Sequence, residues 1–145
     1  MAKKRLSVGL IGGGFMGKAH SLAYAAMPMF FWPAPAIPHR KVIAEVGEKL
    51  AAEAAERFGF ETSTGDWRRV IEDPTIDIVD IATPNDTHRE IAVAAAEAGK
   101  HIICEKPLAR AADEARQMHE AAERAAIVRR RGIAGGGQKN IGIAA

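Results

Sequence analysis

The sequence predicts an α/β domain built on a doubly wound parallel sheet. Three observations carry that. Short apolar runs alternate with helix-period stretches along most of the 145 residues. The first apolar run leads directly into a glycine-rich turn and a helix. The fourth run, Ile76–Ala82 (IDIVDIA), is apolar apart from Asp77 and Asp80, as strands covered on both faces tend to be.

The elements follow in order. Val8, Leu10 and Ile11 supply the first strand. Gly12, Gly14 and Gly17 then stand in G-x-G-x-x-G register, with Phe15 and Met16 between the last two. In this motif the first glycine permits the tight turn, the second lets a pyrophosphate approach the backbone, and the third lets helix and strand pack closely. Ala19, Leu22, Ala23 and Ala26 carry the helix that follows. A strand–glycine turn–helix unit of this kind points to a dinucleotide, held at the positive end of the helix.

The next segment, MPMFFWPAPAIPHR, has prolines at 28, 33, 35 and 38 and is expected to break the helix after Ala26. Its apolar residues suit either a loop folded on its own domain or an apolar edge that meets a partner or substrate. Lys41–Val46 reads as the second strand, ending near Glu45. An acid there can accept hydrogen bonds from the adenosine ribose and would repel a 2′-phosphate. The usual interval is about 20 residues beyond the glycines. The proline-rich insertion lengthens it here, and Lys49 softens the preference for NAD over NADP.

Glu48–Phe58 reads as a helix with Leu50, Ala51, Ala54, Ala55 and Phe58 inward and Gly59 as its stop. Phe60–Ser63 forms a third strand, and Asp66 caps a short helix to Ile71. After the fourth strand come Thr83-Pro84-Asn85, with Asn85 as the N-cap of a helix to Ala98. His101–Cys104 is the fifth strand, Glu105-Lys106-Pro107 its continuation, and Ala111–Ala126 the last helix. Ligands of such sheets sit beyond the carboxyl ends of the strands, where Gly12, Glu45, Thr83, Asn85 and Lys106 all fall.

Bulk properties narrow the rest. Hydrophobic residues make up 48% and charged residues 26%, with a net charge of +2, too small to argue for nucleic acid. The single cysteine rules out an internal disulfide and fits a cytoplasmic enzyme. No apolar run has the length of a membrane span, the short run after the basic MAKKR start does not suit a signal peptide, and no metal site is assigned.

Taken together, GGGFMGKAH (Gly12–His20), Thr83-Pro84-Asn85 with His88, Gly99-Lys100-His101 and Glu105-Lys106-Pro107 resemble the Gfo/Idh/MocA oxidoreductases over about residues 5–126. The resemblance implies a Rossmann NAD(P)-binding domain over residues 1–126 and hydride transfer between nicotinamide and a sugar, polyol or related alcohol/carbonyl. By the same resemblance, Gly12, Gly14, Phe15, Met16 and Gly17 hold the pyrophosphate turn and Glu45 the ribose. Thr83, Pro84 and Asn85 line the middle of the site, as does His88 unless it is a first-turn helix residue that does not touch the cofactor, with Glu105 and Lys106 beside the nicotinamide and Lys106 as the catalytic candidate. His20, His101 and Cys104 are read as structural.

Members of that family continue into a substrate domain. Here residues 127–145 lack the expected sixth strand and read as an atypical tail, such as a shifted reading frame or an artificial end would give. Self-association through exposed apolar surface is expected. The competing reading is a non-catalytic dinucleotide-binding module or remnant.

Overall fold

The computed structural model describes residues 4–132. Strands β1 (Arg5–Ile11), β2 (Ile37–Ala44), β3 (Thr62–Thr64), β4 (Ile78–Ile81) and β5 (His101–Cys104) alternate with helices α1 (Phe15–Phe30), α2 (Glu48–Phe58), α3 (Trp67–Glu72), α4 (His88–Glu97) and α5 (Ala112–Gly132). The sheet is wholly parallel, in the order β3-β2-β1-β4-β5. The chain winds outward from β1 in one direction and then restarts at β4 on its other side. That leaves a crevice between β1 and β4 at the carboxyl edge, where such sheets bind ligands.

Alternation along the strands divides the core. Ile11, Val42, Ala44, Val79, Ile81, Ile102 and Cys104 pack with the apolar faces of α3, α4 and α5. Leu10 and Ile43 pack with Ala55 and Phe60 on the opposite face. Asp80 pairs in register with Leu10 and so shares that second face, toward α1, where it is fully buried.

Several boundaries differ from the sequence reading. Helix α1 continues through Pro28 and ends two residues later at Phe30, the proline costing it the amide donor to the Tyr24 carbonyl. Strand β2 begins at Ile37 and accommodates Pro38, since β3 pairs only with Val42–Ala44 and leaves that stretch of β2 with one open edge. Val46 lies beyond the strand and is exposed, as is Leu50, while Ala51 and Ala55 form the buried line of α2. Strand β3 starts two residues later than expected, and Phe60 instead enters the core as a loop residue. Asn85 is not the cap of α4: Thr87 takes that position, and Asn85 lies in the preceding turn, its carbonyl accepting from the His88 amide. Helix α5 runs past Ala126 to Gly132, and the remaining tail lies outside the described residues.

Candidate dinucleotide site

The carboxyl ends of β1, β2, β4 and β5 deliver four short segments to one edge of the sheet. The glycine turn is the tightest. Gly12 has φ +97°, and a Cβ there would stand 2.8 Å from the Ala82 carbonyl oxygen. Its amide donates to the Ala44 carbonyl oxygen at 2.9 Å, stitching the turn to β2. A Cβ on Gly17 would lie 2.0 Å from the Gly12 carbonyl oxygen, so helix and strand meet there at backbone distance. Gly14 is different: among the described residues a Cβ on it meets nothing within 4 Å.

Packing among the described residues therefore leaves the Cβ position of the middle glycine open. Its open side and the first-turn amides of α1, which have no partner within the helix, form a cradle that fits a pyrophosphate. Phe15 and Met16 open α1 at this point, Phe15 exposed and Met16 half-buried.

Glu45 follows β2 directly and turns back over the glycines. Its Oε1 accepts from the Gly13 amide at 2.5 Å, and Oε2 accepts from the Val46 amide at 3.1 Å. Each carboxylate oxygen retains acceptor capacity for a hydroxyl. Thr83, exposed Pro84 and half-buried Asn85 form the β4 turn, where the Thr87 hydroxyl donates to Thr83 Oγ1 at 2.7 Å.

His88 opens α4, the first-turn position that is one of its two readings from sequence. It is 1% exposed, with Nε2 2.8 Å from the Thr83 carbonyl oxygen and Nδ1 3.2 Å from those of Pro107 and Leu108. It ties the β4 and β5 turns together and shows no polar edge to a ligand. Glu105 and exposed Lys106 follow β5, and the Lys106–Pro107 peptide is cis. The Lys100 ammonium donates to the Asp73 and Ile76 carbonyl oxygens, so that lysine supports the loop before β4.

A cluster beneath this edge escaped the sequence reading. His20, read as a structural residue of α1, places Nδ1 2.9 Å from Asp80 Oδ2 and Nε2 2.8 Å from Glu105 Oε1. The Tyr24 hydroxyl donates to Asp80 Oδ2 at 2.6 Å. The hydrogen bond and charge of Asp80, with a further contribution from Glu105, outweigh burial and raise the His20 pKa. Burial, then the nearby Asp80 charge, raises that of Tyr24. Burial pushes the Cys104 thiol up to about 12, with Asp80 and Glu105 acting in the same direction. The signal available in the sequence was Asp80 itself: a carboxylate in the middle of a buried strand requires partners.

A parallel sheet with a positive-φ glycine turn, an open glycine at a helix N-terminus and an acid after the second strand defines a Rossmann-type dinucleotide-binding domain. Residues 6–129 match the family model for the Gfo/Idh/MocA oxidoreductases, described as an oxidoreductase family with an NAD-binding Rossmann fold, and the chain belongs to that family. It is 72% identical over 125 residues to levoglucosan dehydrogenase of Pseudarthrobacter phenanthrenivorans, covering 86% of this chain and 32% of that protein. A levoglucosan dehydrogenase structure in complex with NADH and levoglucosan superposes with a TM-score of 0.82 at 73% identity, over 83% of this chain and 32% of the other. GenD2 from gentamicin A biosynthesis, in complex with NAD, gives 0.72 at 32% identity, over 84% of this chain and 32% of that one. The chain thus spans about a third of the length of these relatives.

Proposed function

We propose that this chain is the nucleotide-binding part of an NAD-dependent dehydrogenase that transfers hydride between nicotinamide and a sugar or related alcohol/carbonyl, with an anhydrosugar such as levoglucosan favoured. The observation that carries the cofactor half of this reading is the contrast among the glycines. Gly12 and Gly17 are required by packing, whereas among the described residues nothing lies within 4 Å of a Cβ on Gly14. The substrate half rests on the 72% identity with a levoglucosan dehydrogenase.

Each part of the edge then has a task. The Gly12–Gly17 turn and the first amides of α1 hold the pyrophosphate, with Phe15 and Met16 setting the start of the helix. Glu45 accepts from the adenosine ribose and repels a 2′-phosphate, which favours NAD over NADP. Thr83, Pro84 and Asn85 line the middle of the crevice, and Glu105 and Lys106 its nicotinamide end. When bound, the nicotinamide supplies the hydride donor or acceptor. The Lys106 ammonium orients the substrate oxygen and stabilises negative charge developing on it, an effect strongest where water is excluded.

The exposed Phe15, Leu22, Met29, Phe30, Phe31 and Trp32 support self-association through apolar surface. A cytoplasmic setting is supported by the single buried cysteine; among the described residues no helix is long and apolar enough to cross a membrane.

Fluorescence titration of the purified chain with NADH, and separately NADPH, tests the proposal. Saturable NADH binding, tighter than NADPH and weakened roughly tenfold by Glu45→Ala, is expected from the loss of charge-assisted hydrogen bonds. Binding of neither dinucleotide by a chain that still unfolds cooperatively overturns it. A non-catalytic module would bind equally well and differ only in turnover.

A further inference from the structure

We propose that His20 is a positioning residue: as an imidazolium bridging Asp80 and Glu105 it anchors the Glu105–Lys106 turn to α1, and it lets that turn go when it loses its proton. The functional part of this inference rests on the dinucleotide reading above. The clamp itself rests on geometry.

Both ring nitrogens of His20 face carboxylate oxygens, Nδ1 at 2.9 and 3.1 Å from those of Asp80 and Nε2 at 2.8 Å from Glu105. Ionised carboxylates only accept, and a neutral imidazole has a single N–H. Both contacts can be hydrogen bonds only if the cluster carries one proton beyond a neutral ring and two carboxylates. Imidazole is the more basic group, so it holds that proton. Asp80 from β4 and Glu105 from the end of β5 are the charged groups acting on the ring, and both favour its charged form. Tyr24 of α1 donates to Asp80, and Cys104 of β5 lies close enough to feel both carboxylates.

Deprotonation leaves one N–H for two acceptors. Asp80 keeps it: its side chain is 0% exposed, so beyond the Tyr24 hydroxyl no water can replace the ring there. The Glu105 side chain is 15% exposed and can exchange the ring for water. Glu105 Oε2 also accepts from the Lys106 amide at 3.1 Å, so losing the ring frees the carboxylate that orders this turn. The folded-state pKa of His20 lies above the ordinary 6.5. The clamp is therefore fully made below 6.5 and is lost as pH rises through the higher folded value.

The test is an NMR titration of the whole chain labelled with ¹⁵N in its backbone and histidine rings, paired with NADH titrations over the same pH range. The His20 ring is expected to titrate with a midpoint above 6.5, and the Lys106 amide to shift with that same midpoint. NADH affinity falls roughly tenfold across it, as the loss of a charge-assisted hydrogen bond allows. In His20→Gln the Lys106 amide loses that step, and NADH affinity is lowered and no longer changes there. A ring that titrates at or below 6.5, a Lys106 amide that does not follow it, or wild-type affinity that is flat across the midpoint overturns the proposal. The first two readings need only the wild-type chain, so a variant that fails to fold does not leave the question open. Ring and amide titrating together in a chain that binds neither NADH nor NADPH at any pH would support the clamp while sinking the dinucleotide reading.

Discussion

Gly17→Ala is expected to cost about 3 kcal/mol or more, a large share of the stability of a domain this size, because the added methyl must share space with backbone. Its Cβ would stand 2.0 Å from the Gly12 carbonyl oxygen, and that oxygen cannot rotate away as a side chain would. Relief requires α1 to lift from β1, which opens the turn that Gly12 closes. Gly14→Ala is the informative partner. Its φ of −66° suits alanine, and among the described residues the new methyl meets nothing within 4 Å. The only structural cost is the poorer N-cap, about 1 kcal/mol or less. The methyl nevertheless occupies the open side of the cradle, so NADH binding should weaken at least roughly tenfold while the fold persists. Urea denaturation and NADH titration of the two variants separate the effects. Equal losses of stability in both would mean that Gly14 is also a packing glycine, contrary to the geometry.

Asp80→Ala carries the second large effect, through polar groups left behind. Asp80 is wholly buried, and its carboxylate receives His20 at 2.9 Å and the Tyr24 hydroxyl at 2.6 Å. Removing one partner of a buried charged network costs about 3–5 kcal/mol, because the remaining groups lose their bonds without regaining water. Asp80→Asn preserves the shape and an acceptor, so its cost should be smaller, about 1–3 kcal/mol. Chemical denaturation near neutral pH reads both. A neutral result for Asp80→Ala would show that the cluster relaxes toward solvent and that Asp80 is not its anchor.

Much of the architecture was legible because it depends on short-range pattern. Runs such as Val8–Ile11 and His101–Cys104 are apolar, flanked by turn residues and spaced by helices, and the structure keeps them as β1 and β5. The glycine turn was legible because its spacing follows a strand directly and opens a helix, and the structure shows the steric demand at Gly12 and Gly17. What local pattern could not convey was pairing. That Pro38 sits where β2 has an open edge depends on how far β3 extends, and no property of Pro38 announces it. The exposure of Leu50 is likewise set by which face of α2 meets Ile43 and Phe60.

The candidate site divides along the same line. Glu45, Thr83, Asn85 and Lys106 were placed at the carboxyl edge by strand counting, and that is where they lie. His88 could not be assigned this way, because its burial depends on carbonyl groups some 20 residues further along the chain. The His20–Asp80–Glu105 contacts span 60 and 85 residues and join three elements, so only the folded chain reveals them.

The most direct test of a dinucleotide site at this edge is an amide chemical-shift map of the ¹⁵N-labelled chain titrated with NADH. Perturbations are expected to be confined to Gly12–Gly17, Glu45–Val46, Thr83–Asn85 and Glu105–Lys106, the four segments at the carboxyl ends of β1, β2, β4 and β5. Shifts centred on another surface, or none at saturating NADH in a folded chain, would contradict it.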